Sequence, residues 1–96
     1  MSQIEVVAIV QVKPGAEAAA AAAMKACTAP SRAESTNHGY TPHRDLEAPG
    51  TLVFIERWES REALQAHMET PHFKEMAAIL EPLLAAPLAI HILQPL

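Results

Sequence analysis

The sequence has little cysteine, few basic residues and few aromatic side chains. Cys27 is the single cysteine, which excludes an internal disulfide and favours a small core residue in a helical pattern. Seven Lys and Arg stand against eleven Asp and Glu, for a net charge of −4. Such a balance has no basic footprint for nucleic acid, so we expect no nucleic-acid partner.

Long hydrophobic runs are also missing. No apolar run approaches the roughly 20 residues that a membrane-spanning helix needs. The first residues have neither the basic segment nor the cleavage pattern of a signal peptide. Together with the lone cysteine, these features predict a cytoplasmic protein that does not bind membranes.

Motifs for bound cofactors are missing as well. The chain has no G-x-G-x-x-G fingerprint, no phosphate-binding P-loop, no nucleophile elbow and no C-x-x-C pair. His67 and His72 are five residues apart, which lacks the i, i+4 spacing by which two histidines on one helix face bind zinc. We therefore predict no metal site and no cofactor.

What the sequence does have is apolar residues. Half of its 96 residues are hydrophobic, a high share for a small chain that forms one domain over residues 1–96. On the first predicted strand, Val6, Ala8 and Val10 lie on one face, and Val7 and Ile9 lie on the other. Because both faces are apolar, we expect a second copy of the chain to cover one of them in a homodimer.

Periodicity and turn signals predict a ferredoxin-like α+β fold in the order βαββαβ. The predicted strands are residues 4–12, 34–45, 51–59 and 88–93, and the predicted helices are residues 16–30, 61–68 and 71–84. Ser60 and Thr70 are expected to cap the second and third helices, with Pro71 at the first helical position. Gly39 and Pro42 predict a bulge or an edge position for the second strand.

Residues 54–73 contain an unusual cluster of aromatic and histidine residues. The pattern E-x-W, S-x-x-A-L, H and T-x-H-F corresponds here to Glu56, Trp58, Ser60, Ala63, Leu64, His67, Thr70, His72 and Phe73. It resembles the antibiotic biosynthesis monooxygenase family, in particular its small quinol-monooxygenase-like members. The resemblance implies a dimeric α+β barrel, in which two βαββαβ units pair sheet to sheet.

The same resemblance implies a reaction. It is the oxidation of a hydroquinone or polyphenol by dioxygen, with no metal, haem or flavin, in a pocket that binds the substrate and removes a proton. The chain departs from the family pattern between residues 35 and 42, where His38 and Pro42 replace expected apolar positions. That departure leaves the identity of the substrate open.

Two sets of residues are candidates for this chemistry. Substrate binding is expected from Trp58, Tyr40 and Phe73, and proton transfer from His67, His72, His43 and Glu56. Trp58 lies on one strand face with Phe54 and Glu56, where a flat substrate could stack on its ring or the ring could simply fill the core. Because its neighbours on this face are aromatic, the carboxylate of Glu56 must be paired, protonated or near solvent. The sequence does not rank the histidines as bases.

Three other functions fit the same sequence. One is an isomerase that moves a proton on a small carbonyl compound. Another is a non-catalytic dimeric protein for ligand binding or stress response. A haem-degrading relative fits less well, because the first strand has no Asn to join a Trp and a His. The fold does not decide among them.

Overall fold

The structure is a computed structural model that describes residues 3–96. Its strands are β1 Ile4–Gln11, β2 Asn37–Arg44, β3 Thr51–Trp58 and β4 Ala89–Leu93, and its helices are α1 Glu17–Arg32, α2 Arg61–Met68 and α3 Pro71–Leu80, followed by a 3₁₀ turn at Glu81–Leu83. The predicted order βαββαβ is confirmed, with the second helical segment broken into α2 and α3.

The four strands form one antiparallel sheet in the order β2-β3-β1-β4. The predicted irregularity of β2 is confirmed, because β2 is an edge strand and its register shifts between Asn37 and Gly39. Pro42 lies opposite Phe54, and a residue without an N–H is tolerated where the strand has only one neighbour. Beyond the bulge, Tyr40 pairs with Glu56.

One predicted boundary is wrong in a way that matters for the site. Residues 34–36 were expected in the second strand, but they form a turn between α1 and β2. The backbone N–H of Glu34 donates to Ser31 at 3.1 Å, and that of Asn37 donates to the carbonyl of Glu34 at 3.0 Å. The side chain of Glu34 is thereby released from the alternation of the sheet.

The helices cover one face of the sheet and enclose the core. On β1, Val6, Ala8 and Val10 are buried beneath them, as the alternation predicts. The alanine-rich α1 packs its small residues and Cys27 into this core, where Cys27 is 2% exposed. The prediction that Cys27 is a small core residue is confirmed.

The opposite face of the sheet is not covered by the helices. Val7, Ile9 and Val53 are only half-buried there, and Ile55 is 51% exposed. These residues alternate with the buried ones along β1 and β3. The result is an apolar sheet face that residues 3–96 of a single chain leave accessible.

The length of a helix limits whether it can cross a membrane. The longest helix, α1, has 16 residues, fewer than the roughly 20 of a membrane span. Within residues 3–96, no helix combines the length and the apolar character needed to cross a bilayer. The cytoplasmic location stays a prediction.

Candidate active site

The break between α2 and α3 brings two histidines to the same place. Thr70 caps α3 by accepting a hydrogen bond from the N–H of Phe73 at 3.3 Å, and its hydroxyl donates to the carbonyl of His67 at 2.6 Å. Ser60 caps α2 in the same manner, accepting from Ala63. Because Thr70 contacts both helices, His67 in the last turn of α2 and His72 in the first turn of α3 approach each other.

Glu34 lies between the two histidines. Its Oε2 is 2.7 Å from His67 Nδ1 and 2.7 Å from His72 Nε2. Both distances are those of strong hydrogen bonds to a charged acceptor. The sequence reasoning missed Glu34 because it assigned the residue to a strand. The signal that could have found it is the polar run Ser35-Thr36-Asn37, which is more typical of a turn.

His67 is deeply buried, with 1% of its surface exposed. Glu34 fixes the tautomer of the His67 ring. Because a carboxylate only accepts hydrogen bonds, Nδ1 must carry the proton and donate it to Glu34 in a hydrogen bond. Nε2 is buried and has no hydrogen-bond partner among residues 3–96. Burial lowers the pKa of His67, although the hydrogen bond and charge of Glu34 partly oppose this. At neutral pH the ring is therefore uncharged, and its Nε2 can accept a proton.

Aromatic rings hold His67 in place. Its ring centroid lies 4.5 Å from that of Trp58, 5.1 Å from Phe73 and 5.3 Å from Tyr40. Contacts of this kind restrict rotation of the imidazole as well as removing it from water. The aromatic residues expected to bind substrate thus all touch the candidate base.

Glu56 is a buried carboxyl group beside these rings. It is 6% exposed, and its Oε1 accepts a hydrogen bond of 2.8 Å from Trp58 Nε1. Burial raises the pKa of Glu56 to about 7; the charge of Glu34 adds to the rise, and the hydrogen bond from Trp58 opposes it. Near neutral pH, Glu56 can therefore either donate or accept a proton.

A cavity of about 30 Å³ lies between the sheet and the helices. Its lining residues are Val6, Ala8, Val10, Tyr40, Phe54, Glu56, Leu64, His67, Met68, Phe73, Met76, Leu80, Leu88 and Ile90. The size suits about two water molecules. Apart from Glu56 and His67, its lining side chains are apolar or aromatic.

Four of the seven predicted site residues line this cavity: Tyr40, Glu56, His67 and Phe73. Trp58 does not, which corrects the expectation that its ring forms a pocket wall. It is fully buried behind His67 and Glu56, and so it supports the wall from outside the cavity.

The other two predicted residues lie elsewhere. His72 is outside the cavity lining, with its side chain 22% exposed, and it reaches the site through Glu34. His43 pairs with Val53, so it lies on the sheet face opposite to Tyr40, because side chains alternate along a strand and the two residues are three apart. The structure does not bring His43 together with the other candidates.

The hydroxyl of Tyr40 contacts buried side chains of α1. It lies 3.6 Å from the thiol of Cys27, which in turn lies 3.4 Å from the hydroxyl of Ser31. Burial raises the pKa of Tyr40, and the hydrogen bond with Cys27 adds to the rise. The phenol therefore stays protonated, and it is the aromatic ring of Tyr40 that contributes to the cavity wall.

The arrangement of Glu34, His67 and His72 also differs from the expectation based on spacing. Each offers one potential metal-ligand atom, and these three atoms lie within 4.8 Å of one another. The i, i+5 spacing predicted that the two histidines would not share a helix face. They meet because the chain changes direction at Thr70-Pro71 and because a third element supplies the carboxylate.

Comparison with known proteins points to one family. Residues 3–79 match the family model described as antibiotic biosynthesis monooxygenase. Rv0793 of Mycobacterium tuberculosis, named as a candidate monooxygenase, is 35% identical over 95 residues, which cover 99% of this chain and 93% of that protein. YgiN of Escherichia coli, named as a candidate quinol monooxygenase, is 44% identical over 45 residues, covering 38% of this chain and 43% of that protein.

Solved structures show the same fold. The structure of Rv0793 superposes with a TM-score of 0.92 and covers 99% of this chain and 96% of that one. PA3566 of Pseudomonas aeruginosa also has a TM-score of 0.92, at 30% identity, and covers 100% of this chain and 96% of that one. With the family model spanning residues 3–79, these likenesses establish that the chain belongs to the antibiotic biosynthesis monooxygenase family.

Proposed function

We propose that the chain is a cofactor-independent monooxygenase that oxidises a hydroquinone or polyphenol with dioxygen. The observation that carries the proposal is the state of His67. It is a buried, uncharged imidazole in the wall of a largely apolar cavity, held by Glu34 at Nδ1 and with no partner at Nε2 among residues 3–96. A phenolic hydroxyl of the substrate would supply the missing partner. The similarity to YgiN over 45 residues supports a quinol as the substrate class.

In the proposed reaction, His67 Nε2 accepts a proton from a phenolic hydroxyl. The carboxylate of Glu34 stabilises the imidazolium that forms, because a charge-assisted hydrogen bond strengthens as the ring becomes positive. The resulting phenolate is electron-rich at its ring carbons, and it can transfer electrons to dioxygen. One oxygen atom then joins a ring carbon and the other leaves as water, so the substrate loses four electrons and ends as a hydroxyquinone.

In this proposal Glu56 contacts the substrate at a second point. Its pKa of about 7 makes both protonation states available near neutral pH. A protonated carboxyl can donate a hydrogen bond to a quinol oxygen, and an ionised one can accept a second proton as the quinone forms. Trp58 holds the carboxyl in position through Nε1.

A single-ring substrate is larger than the cavity of about 30 Å³, so we propose that the wall opens on binding. Met68, Phe73 and Leu88 line the cavity and are only partly buried. Methionine is adaptable in shape, because it is unbranched and has three rotatable bonds. Movement of these side chains would admit the ring and still exclude bulk water from His67.

The test is oxygen consumption with a panel of hydroquinones, after exhaustive dialysis against a chelator and without added flavin. We expect oxygen uptake that requires the protein and a stoichiometric hydroxyquinone product. A requirement for added metal or flavin would overturn the cofactor-independent reaction. A separate absorbance scan with added haem would show whether the chain binds haem, as a haem-degrading protein would.

A second candidate function is an isomerase of a small carbonyl compound. One observation favours it: His67 and Glu56, a base and a carboxyl group of pKa about 7, line the same cavity. Such a pair could remove a proton next to a carbonyl and return it to another carbon. Deuterium exchange into carbonyl compounds without oxygen uptake would identify this activity.

We also propose that the chain forms a homodimer through the accessible face of the sheet. Val7, Ile9, Val53 and Ile55 give this face an apolar centre, and exposed apolar patches favour association. Sedimentation at micromolar concentration should show a dimer, and Ile55→Asp should shift it to a monomer because a buried charge at the interface is costly. A wild-type monomer would contradict the proposal.

A further inference from the structure

Glu34, His67 and His72, here called the Glu34 cluster, converge from three separate elements. Glu34 lies in the turn after α1, His67 in the last turn of α2 and His72 in the first turn of α3. We propose that the Glu34 cluster binds a divalent transition metal ion, for which Zn²⁺ is the best chemical match, and that the bound metal arrests proton abstraction by His67.

The donor set fits such an ion. Two imidazole nitrogens and one carboxylate oxygen bind Zn²⁺ in proteins, with a water molecule in the fourth position. Bond lengths of about 2.0–2.1 Å in a tetrahedral site place the ligand atoms about 3.3 Å apart. Oε2 of Glu34 is 2.7 Å from each histidine nitrogen, so an outward movement of about 0.6 Å would make room for the ion.

The side chains differ in their freedom to make this movement. His67 is 1% exposed and fixed by aromatic rings, whereas Glu34 and His72 have side chains that are 17% and 22% exposed. The inner ligand is therefore rigid, and the two outer ligands can open towards solvent. An ion and its fourth ligand, a water molecule, would enter from that side.

The charge of the cluster also favours a cation. Within residues 3–96, the only ion-pair partners of Glu34 are the two histidines. The Glu34 side chain is only 17% exposed, and a carboxylate removed from water needs compensating charge and hydrogen bonds. A divalent ion between the three ligand atoms would supply that charge.

Nε2 of His67, which has no partner in the described part of the chain, links metal binding to the arrest of catalysis. A metal on Nδ1 takes the lone pair of that nitrogen, so the single proton of the neutral ring moves to Nε2. Nε2 then donates and can no longer accept a proton from a substrate. This consequence rests on the proposed function, whereas metal binding itself does not.

Binding is tested by calorimetric titration of the chelator-dialysed full chain with Zn²⁺ alone. We expect one site per chain, weakened about 100-fold or more in Glu34→Gln and in His72→Gln, since loss of a ligand exceeds the 10–100-fold effect of losing a ligand's own partner. His38→Gln is the matched control, because His38 forms an exposed pair with Glu59 at 3.2 Å that has no third potential ligand among residues 3–96. Equal binding by all four proteins, or none by the wild type, would overturn the site.

A second measurement needs no variant. Trp58 is the single tryptophan of the chain, and its ring lies 4.5 Å from that of His67. Paramagnetic Cu²⁺ bound at the Glu34 cluster should therefore quench its fluorescence stoichiometrically, with competition by Zn²⁺. Absence of stoichiometric quenching would place the metal elsewhere.

The arrest of catalysis has its own readout. Zn²⁺ should inhibit oxygen uptake with a midpoint at the calorimetric Kd. Unchanged or increased uptake at full occupancy would overturn the arrest. A metal-free protein without any oxygen uptake would contradict the proposed function and leave the calorimetric result standing.

Discussion

A substitution that fills the cavity shows whether the cavity binds substrate. Ala8 lies in the middle of β1, lines the cavity and is 8% exposed. Ala8→Val adds two methyl groups at this wall without changing any charge, and valine is a favourable strand residue. The substitution therefore reduces the space next to His67 and leaves the proton-transfer groups in place.

The expected effect on stability is small. A cavity costs about 24 cal/mol for each Å³, so filling all 30 Å³ would stabilise the fold by at most about 0.7 kcal/mol. Poor fit of the added methyl groups would oppose this gain, since overpacking costs about 1–3 kcal/mol. We expect the free energy of unfolding to fall by about 2 kcal/mol or less.

The effect on activity should be much larger. A substrate ring already requires the wall to open, and the added methyl groups occupy the space it enters. KM for hydroquinones should rise at least tenfold in oxygen-uptake assays, with chemical denaturation run in parallel. Ala18→Val is the control for added volume, because Ala18 is exposed on α1 and lines neither the cavity nor the accessible sheet face. A stable Ala8→Val variant with unchanged KM and kcat would refute the cavity as the substrate site.

The remaining predictions concern the charged groups. Glu34→Gln should lower kcat about 10- to 150-fold, because a hydrogen bond to a charged group contributes about 1.5–3 kcal/mol; unchanged kcat would remove Glu34 from the mechanism. Oxygen uptake should fall about 10²- to 10⁴-fold in His67→Gln, as for loss of a general base, and less in His72→Gln; the reverse order would make His72 the base. For Glu56, a folded-state pKa of about 7 against an ordinary value of 4.5 means that the folded protein binds more protons than the unfolded chain between these pH values. Stability should therefore fall by about 3 kcal/mol as pH rises through that window. Denaturation at several pH values should show a flatter profile for Glu56→Gln, and an identical profile would contradict the raised pKa.

Local signals accounted for much of the fold. Ser60 and Thr70 cap the helices that the sequence predicted, and α2 has the predicted bounds. A cap depends on residues within one turn, so it can be read without tertiary contacts. The opposite orientation of Tyr40 and His43 likewise follows from strand alternation, once the bulge falls before Tyr40.

The site was only partly predictable. Glu56, His67 and Phe73 were predicted because they belong to the family pattern, and Tyr40 was predicted as a substrate-binding residue; all four line the cavity. The support of His67 by Trp58 and by Glu34 was not identified. Whether a ring forms a wall or lies behind it depends on packing between β3 and α2, which no spacing along one element contains.

By itself, the sequence determined the order of the elements, the caps, the buried strand faces and the family. Each of these follows from residues close together in the chain or from a motif of fixed spacing. Only the tertiary structure decided that Glu34 would join His67 and His72, since the three residues belong to a turn and two helices that meet in space. It also decided the burial of His67 that lowers its pKa. Burial and charge act through distance in space, and the folded chain alone sets those distances.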